Sequence, residues 1–306
     1  MTTVLITGAT GGLGRSAVMA MADRPAAARP DLLLVGRPGV GLDAVAAAAR
    51  AKGATVRTVG ADLARLSDVR AAGEKVTELV ASGEVRPLRV LIANAGVSVA
   101  DTRTASADGF EMTFAVNYLA HAQLIGELIG SLVAPARIVL LGSNTYYLNT
   151  VRRLMGVPPA EWRDPIDLAK PAPADATPTF RAAGVAYSNS KLAVLYYAHE
   201  LQRRAPEGVS VAVFEPGFMP GTGLSRDHGP GMQRLGRGIQ RLPGISSPVK
   251  SGPALAAVAL DDRWAHLNGG AFVVKTKERA VESFANDPVR EARLWRATDE
   301  LLARVL

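Results

Sequence analysis

The chain has 306 residues, 48% of them hydrophobic and 21% charged, which fits a globular protein and excludes a disordered or collagen-like one. No stretch of about 18 apolar residues lacks a charge or a helix breaker, so no membrane-spanning helix is expected; with no cysteine there is no disulfide framework, thiolate nucleophile or zinc–thiolate site. The formal charge of +7 raises the question of a polyanion partner, but the basic residues are mostly arginines scattered through Ala- and Gly-rich sequence, and no basic stretch is interleaved with aromatics, so no nucleic-acid partner is expected.

The first apolar run, 4–7, passes straight into a glycine cluster with no basic segment ahead of it, so no signal peptide is expected and the simplest location is the cytoplasm. Further runs follow at 32–35, 55–59, 90–93 and 138–141. Each is short and dominated by Val, Ile and Leu without polar alternation, the pattern of parallel strands covered on both faces. Between them, Ser67-Asp68 is expected to cap a helix over 69–80, and 107–132 reads as one long amphipathic helix. The alternation predicts an α/β fold: a single-domain, Rossmann-type, doubly wound parallel sheet with helices on both faces. The rhythm then breaks over 144–186, which carries Pro158, Pro159, Pro165, Pro171, Pro173 and Pro178. It returns with a helix over 187–204 and a strand over 209–214. Residues 217–253 are again rich in Gly and Pro, before a last strand at 271–274 and a helix at 288–305. Nothing divides the chain, so 1–306 reads as one domain, with the excursions at 144–186 and 217–253 forming a ligand pocket.

The segment Thr7-Gly8-Ala9-Thr10-Gly11-Gly12-Leu13-Gly14 lies directly after the first strand and opens the first helix. Glycines there permit a tight turn and close backbone approach, so a pyrophosphate can sit against the amides at the helix N-terminus. The second strand ends Val35-Gly36-Arg37. Where a carboxylate would accept from a ribose diol, an arginine fork suits a phosphate, and Arg15 adds a second charge; NADP(H) is therefore the expected cofactor.

With this loop the chain resembles the short-chain dehydrogenase/reductase family, and further motifs follow in register. Asp62-Leu63 resembles the family's adenine-contacting segment. Asn94-Ala95-Gly96 matches its Asn-Ala-Gly motif, Asn117 its active-site asparagine, and Ser143 its serine at the end of the fifth strand. Tyr187-Ser188-Asn189-Ser190-Lys191 is the Tyr-x-x-x-Lys motif, and Pro216-Gly217 the nicotinamide-contacting segment, with Thr222 and Gly221 competing for the carboxamide position. Asn117–His121, Leu192-Ala193 and the segment after Pro216 are similar to the retinol-dehydrogenase-like and protochlorophyllide-reductase-like branch. The latter's cysteine after Pro-Gly is replaced by Phe218, which tells against pigment photochemistry. The resemblance implies a catalytic set of Asn117, Ser143, Tyr187 and Lys191. In it Lys191 also holds the nicotinamide ribose, and Asn117 holds a water linking Lys191 to solvent. Helices four and five often mediate dimers and tetramers in that family, so a homo-oligomer is admitted.

Tyr187 and Lys191 stand at i and i+4, one turn apart on one helix face. A phenol ordinarily titrates near 10, and a fixed ammonium nearby favours the phenolate; lowering it by about three units represents roughly 4 kcal/mol. Tyr187 can then be the general acid in ketone reduction or the base in alcohol oxidation, while Ser143 hydrogen-bonds the substrate oxygen. Tyr146, Tyr147, Leu148 and Met155 are expected on one pocket wall and Phe218, Met219 and Leu224 on another, suiting a bulky apolar carbonyl or alcohol. Arg226, Arg234, Arg237 and Arg241 read as a solvated face rather than as anion ligands. His121, His199, His228 and His266 have no metal-ligand spacing and read as surface or loop residues, so no metal is expected. The competing reading is a non-catalytic NADP-binding sensor or scaffold of the same fold.

Overall fold

The computed structural model describes residues 2–149, 152–153, 156–219 and 246–305. In chain order the elements are β1 (Thr3–Thr7), α1 (Gly12–Ala22), β2 (Asp31–Gly36), α2 (Val40–Ala51), β3 (Val56–Gly60), α3 (Leu66–Ala81), β4 (Leu88–Ala93) and α4 (Met112–Phe114). A π turn (Ala115–Leu119) leads into α5 (Ala120–Leu128), followed by β5 (Ala136–Leu141), α6 (Pro165–Leu168), α7 (Phe180–Arg204) and β6 (Val209–Glu215). The last elements are α8 (Pro248–Leu260), β7 (Ala271–Val274), β8 (Lys277–Arg279) and α9 (Pro288–Ala303). The strands form one sheet in the order β3-β2-β1-β4-β5-β6-β7-β8, parallel throughout except for the β7–β8 pair. Chain direction across the sheet reverses between β1 and β4, and ligands of open α/β sheets bind beyond the carboxyl ends of strands at such a crevice.

The apolar runs lack polar alternation because both faces are buried. Leu5, Leu33, Val35 and Val213 belong to a core with Val69, Leu124, Leu195 and Leu294, from α3, α5, α7 and α9. Their strand neighbours Ile6, Leu34 and Phe214 belong to a second core with Val18, Val45 and Leu255, from α1, α2 and α8. α9 covers the outer side of α7. Trp295 stacks on Tyr197 with ring centroids 5.4 Å apart, and Thr298 hydrogen-bonds Tyr118. Glu291, wholly buried, takes His199 Nδ1 at 2.7 Å and an ion pair from Arg203.

Four sequence expectations are corrected. Ser67-Asp68 does not cap α3; the cap position is Arg65, and Leu66 N–H is satisfied at 2.8 Å by Asp108, far away in sequence. The expected helix over 107–132 begins only at Met112, with Glu111 accepting from Thr113 and Phe114 N–H, and is interrupted by the π turn. α7 begins at Phe180 rather than 187, because Thr179 accepts from Ala182 N–H at 3.0 Å and starts it earlier. Inside the irregular stretch expected over 217–253, α8 starts at Pro248, which is compatible with a first helical position, and packs so tightly on α1 that a Cβ at Gly252 would lie 2.4 Å from Ser16 Oγ.

Candidate active site

The loop between β1 and α1 is shaped by three glycines for different reasons. Gly8 and Gly12 have φ of +69° and +51°, the left-handed region that side chains resist. A Cβ at Gly14 would lie 2.3 Å from the Gly8 carbonyl oxygen and 2.6 Å from Asn94 Nδ2. Beneath the loop, Asn94 Nδ2 donates to the carbonyls of Thr7 (2.8 Å) and Gly8 (3.2 Å), and Ala95 packs against Gly8. Above it, Gly11 has nothing among the described residues within 4 Å of where a Cβ would sit. Gly11 is also the cap residue of α1, with no side chain capping the helix and no acidic residue in its first turn. Open space before an uncapped N-terminus suits an anion. Thr10 is exposed on the loop, and Leu13 is buried beneath it.

Arg37, just past β2, and Arg15, in the first turn of α1, are both exposed, and their guanidinium groups make no ion pair or hydrogen bond among the described residues. Asp62 is less free than its sequence role suggested: its N–H donates to Asp68 and its Oδ1 accepts from Ala64 N–H, both at 3.1 Å. Leu63 turns its side chain into the core, so it supports this edge of the cleft.

A buried network links the glycine loop to the π turn. Thr7 Oγ1 accepts from the N–H groups of Asn94 (3.0 Å) and Ala95 (2.9 Å) and lies 2.9 Å from His121 Nε2. With both lone pairs used, the Thr7 hydroxyl must donate to Nε2, which makes His121 the Nδ1–H tautomer, aimed at Asn117 O at 3.3 Å. Burial first, and Lys191 further, push His121 down to about 4. His121 and His199 are thus buried, not surface, histidines. Asn117, in the middle of the π turn, accepts from Val97 N–H (2.7 Å) and donates to Val97 O and Ser190 Oγ, both 3.0 Å away. Ser190 Oγ donates to Tyr187 O at 2.7 Å. An extra residue in one helical turn is a common device at functional sites.

Tyr187 and Lys191 do share a face of α7. Lys191 Nζ lies 5.7 Å from the Tyr187 ring centre and donates to Leu141 O at 2.8 Å, at the end of β5. Burial lowers Lys191 to about 8. Ser143 follows β5, its Oγ accepting from Thr145 N–H at 3.3 Å, and its hydroxyl faces Tyr187 closely enough to act on its titration. Tyr187 departs from the expectation of an easily formed phenolate. Burial, and next the Glu215 carboxyl, raise it well above the ordinary phenol, and the Ser143 hydrogen bond only partly opposes them.

Pro216-Gly217 follows β6. Gly217 has φ of +86°, and a Cβ there would lie 2.1 Å from Ser246 Oγ, while Ser251 Oγ donates to Pro216 O at 2.7 Å. Of the expected wall residues, Leu148 and Phe218 are exposed and Tyr147 is half-buried under Arg152, 4.6 Å from its ring centre. Tyr146 is corrected to a core residue: it is 2% exposed, packs edge-on to Phe272 and Phe284, and its hydroxyl accepts from Glu282 N–H at 3.1 Å. Met219 packs on the core formed with α1 and α8. Met155, Gly221, Thr222, Leu224, Arg226, His228, Arg234, Arg237 and Arg241 lie outside the described residues. A cavity of about 710 Å³ between α6 and α7, lined by Phe114, Leu168, Val185 and Ala186, contains none of Ser143, Tyr187 or Lys191, so volume alone does not mark the site. Sequence reasoning missed Glu215 and Arg152; a lone acidic residue ending an otherwise apolar strand was the available signal.

The pattern of the short chain dehydrogenase family matches residues 2–149. Over the whole chain there is similarity to protochlorophyllide reductase A, chloroplastic, of Oryza sativa subsp. japonica: 31% identity, with 99% of this chain and 81% of that one covered. "Putative daunorubicin C-13 ketoreductase DnrU" of Streptomyces sp. (strain C5) is 30% identical, with coverage of 97% and 91%. A short chain dehydrogenase from Burkholderia cenocepacia J2315, solved in complex with NADP, shares the fold with a TM-score of 0.62 at 21% identity, covering 94% of this chain and 98% of that one. With this similarity covering nearly all of the chain and 81% and 91% of these two relatives, the chain belongs to the short chain dehydrogenase family.

Proposed function

We propose that the protein is an NADP(H)-dependent oxidoreductase that interconverts a bulky apolar carbonyl compound and its alcohol, with Tyr187 as general acid/base. The observation that carries this is Ser143 and Lys191 converging on Tyr187 at the carboxyl ends of β5 and β6. The glycine loop fits a dinucleotide: a backbone cradle kept open at Gly11, an uncapped helix N-terminus, and free guanidinium groups at Arg15 and Arg37 for a phosphate. Asn94, Ala95, Gly96 and Asp62-Leu63 would form its adenine-side and central supports, and Pro216-Gly217, with Thr222 beyond, its nicotinamide end. When bound, that cofactor supplies the hydride.

The chain's own residues supply position and proton. Ser143 orients the substrate oxygen and stabilises charge that develops on it. Tyr187, held as the neutral phenol, donates its proton to that oxygen during reduction and takes it back during oxidation. Lys191 holds the ribose hydroxyls and keeps positive charge beneath the tyrosine; the Val97 and Ser190 contacts of Asn117 fix the turn beside it. The two excursions build the pocket within one domain, and exposed Leu148 and Phe218 at its rim support an apolar substrate. The relatives' printed names, both reductases and one a ketoreductase, support carbonyl chemistry. Tyr187→Phe should bind NADPH as the wild type does while losing about 10³-fold or more in turnover on a ketone panel. Near-wild-type turnover in that variant would sink the reading, and tight NADPH binding with no turnover in the wild type would favour a sensor.

A further inference from the structure

We infer that Glu215, at the end of β6, is a positioning residue whose buried negative charge holds the proton on Tyr187 and so biases the site toward reducing a carbonyl. The inference rests on the oxidoreductase reading above. Strand alternation sets the direction of the side chain: Val209, Val211 and Val213 face the core beneath α7, and Glu215 continues that row. Register sets its place, because Phe214 pairs with Leu141 and its carbonyl accepts from Gly142 N–H at 2.9 Å. Glu215 therefore stands beside Gly142-Ser143, and the Ser143 hydroxyl faces Tyr187.

Glu215 is 5% exposed, yet its Oε2 has no hydrogen-bond partner among the described residues. An unpaired oxygen on a buried acid disfavours folding, so packing gives no reason for it. The groups facing Glu215 come from three other elements: Asn144 N–H and Arg152 from the segment after β5, Lys275 after β7, and Tyr187 on α7. Gly217 N–H, from the turn after β6, also faces it. Burial raises the Glu215 carboxyl, while these N–H groups and cations limit the rise. Tyr187 in turn is faced by Glu215, by the Ser143 hydroxyl and by Lys191 on its own helix. The sign is fixed: a carboxylate nearby disfavours phenolate, and it does so only above its own titration, where it is charged. A neutral phenol is the form that protonates a carbonyl oxygen.

The test is the pH dependence of kcat/KM for alcohol oxidation with NADP, which rises as Tyr187 deprotonates. In Glu215→Gln this limb should move about one pH unit lower, making oxidation near neutrality up to about tenfold faster, with NADPH affinity unchanged. Glu215→Asp, which keeps the charge, should restore the limb toward the wild-type position, a rescue that a packing role would not give. Should the glutamine variant fail to fold, Glu215→Asp and Glu215→Asn make the same comparison on a shorter stem, with the limb lower in the asparagine variant. An unmoved limb in the neutral variants, while Tyr187→Phe is inactive, overturns the role of Glu215 and leaves the oxidoreductase reading standing. An active Tyr187→Phe overturns both.

Discussion

Where the glycine loop meets α1, the closest approaches are between backbone atoms and neutral groups: Gly14 against the Gly8 carbonyl, Asn94 against Thr7 and Gly8, Ala95 against Gly8. At the other end of the cleft, under Tyr187, the neighbours are buried ionisable groups, Lys191 and Glu215, the second with an unpaired oxygen. The first region is an arrangement of shape, its close contacts made by groups that do not titrate. The second is an arrangement of charge, costly to bury and sensitive to protons. On the proposed reading, one chain holds a nucleotide with sterics and carries out proton chemistry with fields, and the two should fail differently.

The largest failure belongs to the loop. Gly14→Ala forces a Cβ to within 2.3 Å of a backbone oxygen, where nothing flexible can yield, and should cost about 2–4 kcal/mol of stability and abolish measurable NADPH binding. Gly11→Ala meets no atom and has an extended φ of −156°, so stability should hold within about 0.5 kcal/mol while binding weakens; denaturant melts with NADPH titration separate the two. Equal destabilisation by both would break the contrast.

Lys191→Met should do the reverse, removing activity while stabilising the fold. Lys191 titrates at about 8 in the folded chain against 10.5 unfolded, so the unfolded chain binds the extra proton and stability rises with pH through that window. Below it, the buried ammonium costs on the order of 3 kcal/mol, from which the lost bond to Leu141 O subtracts about 1 kcal/mol. The variant should therefore unfold at higher urea than the wild type at pH 7, with the gap closing above pH 10. A destabilised variant at pH 7 would show that the ammonium is better solvated than its burial implies.

The smallest effect is a change of preference. Arg37→Asp should leave a folded protein, since the guanidinium is exposed and unpaired among the described residues, but should shift the NADPH-to-NADH ratio of kcat/KM by about tenfold or more toward NADH. An unchanged ratio would assign phosphate recognition to Arg15 or to residues after Met219.

The parts of this design governed by local sequence were readable in advance. The strands were legible because both faces are buried, and the loop because glycine spacing is a backbone requirement. Tyr187 and Lys191 were legible because helical periodicity aligns i and i+4. What escaped depends on partners distant in sequence. Asp108 caps α3 across a gap no local window spans, and the π turn at Asn117 is held by Val97 and Ser190. His121 reads as a surface residue until Thr7 and Asn117 are seen on either side of it. Tyr146 has the composition of a pocket wall but finds better company against Phe272 and Phe284. The reluctance of Tyr187 to ionise escapes for the same reason: its helix partner is visible in sequence, but the burial that chiefly raises it and the carboxylate on β6 that adds to this are not.

The cover that α9 lays over α7 also has a consequence in time. During synthesis α7 leaves the ribosome well before Glu291, Trp295 and Thr298 exist to receive His199, Arg203, Tyr197 and Tyr118. Until then the helix carrying Tyr187 presents Tyr197 and an unanswered His199 to its surroundings. The helix that carries Tyr187 is therefore among the last parts of the molecule to gain its permanent backing, and a nascent chain stalled before residue 288 is the form in which aggregation or chaperone capture is most to be expected.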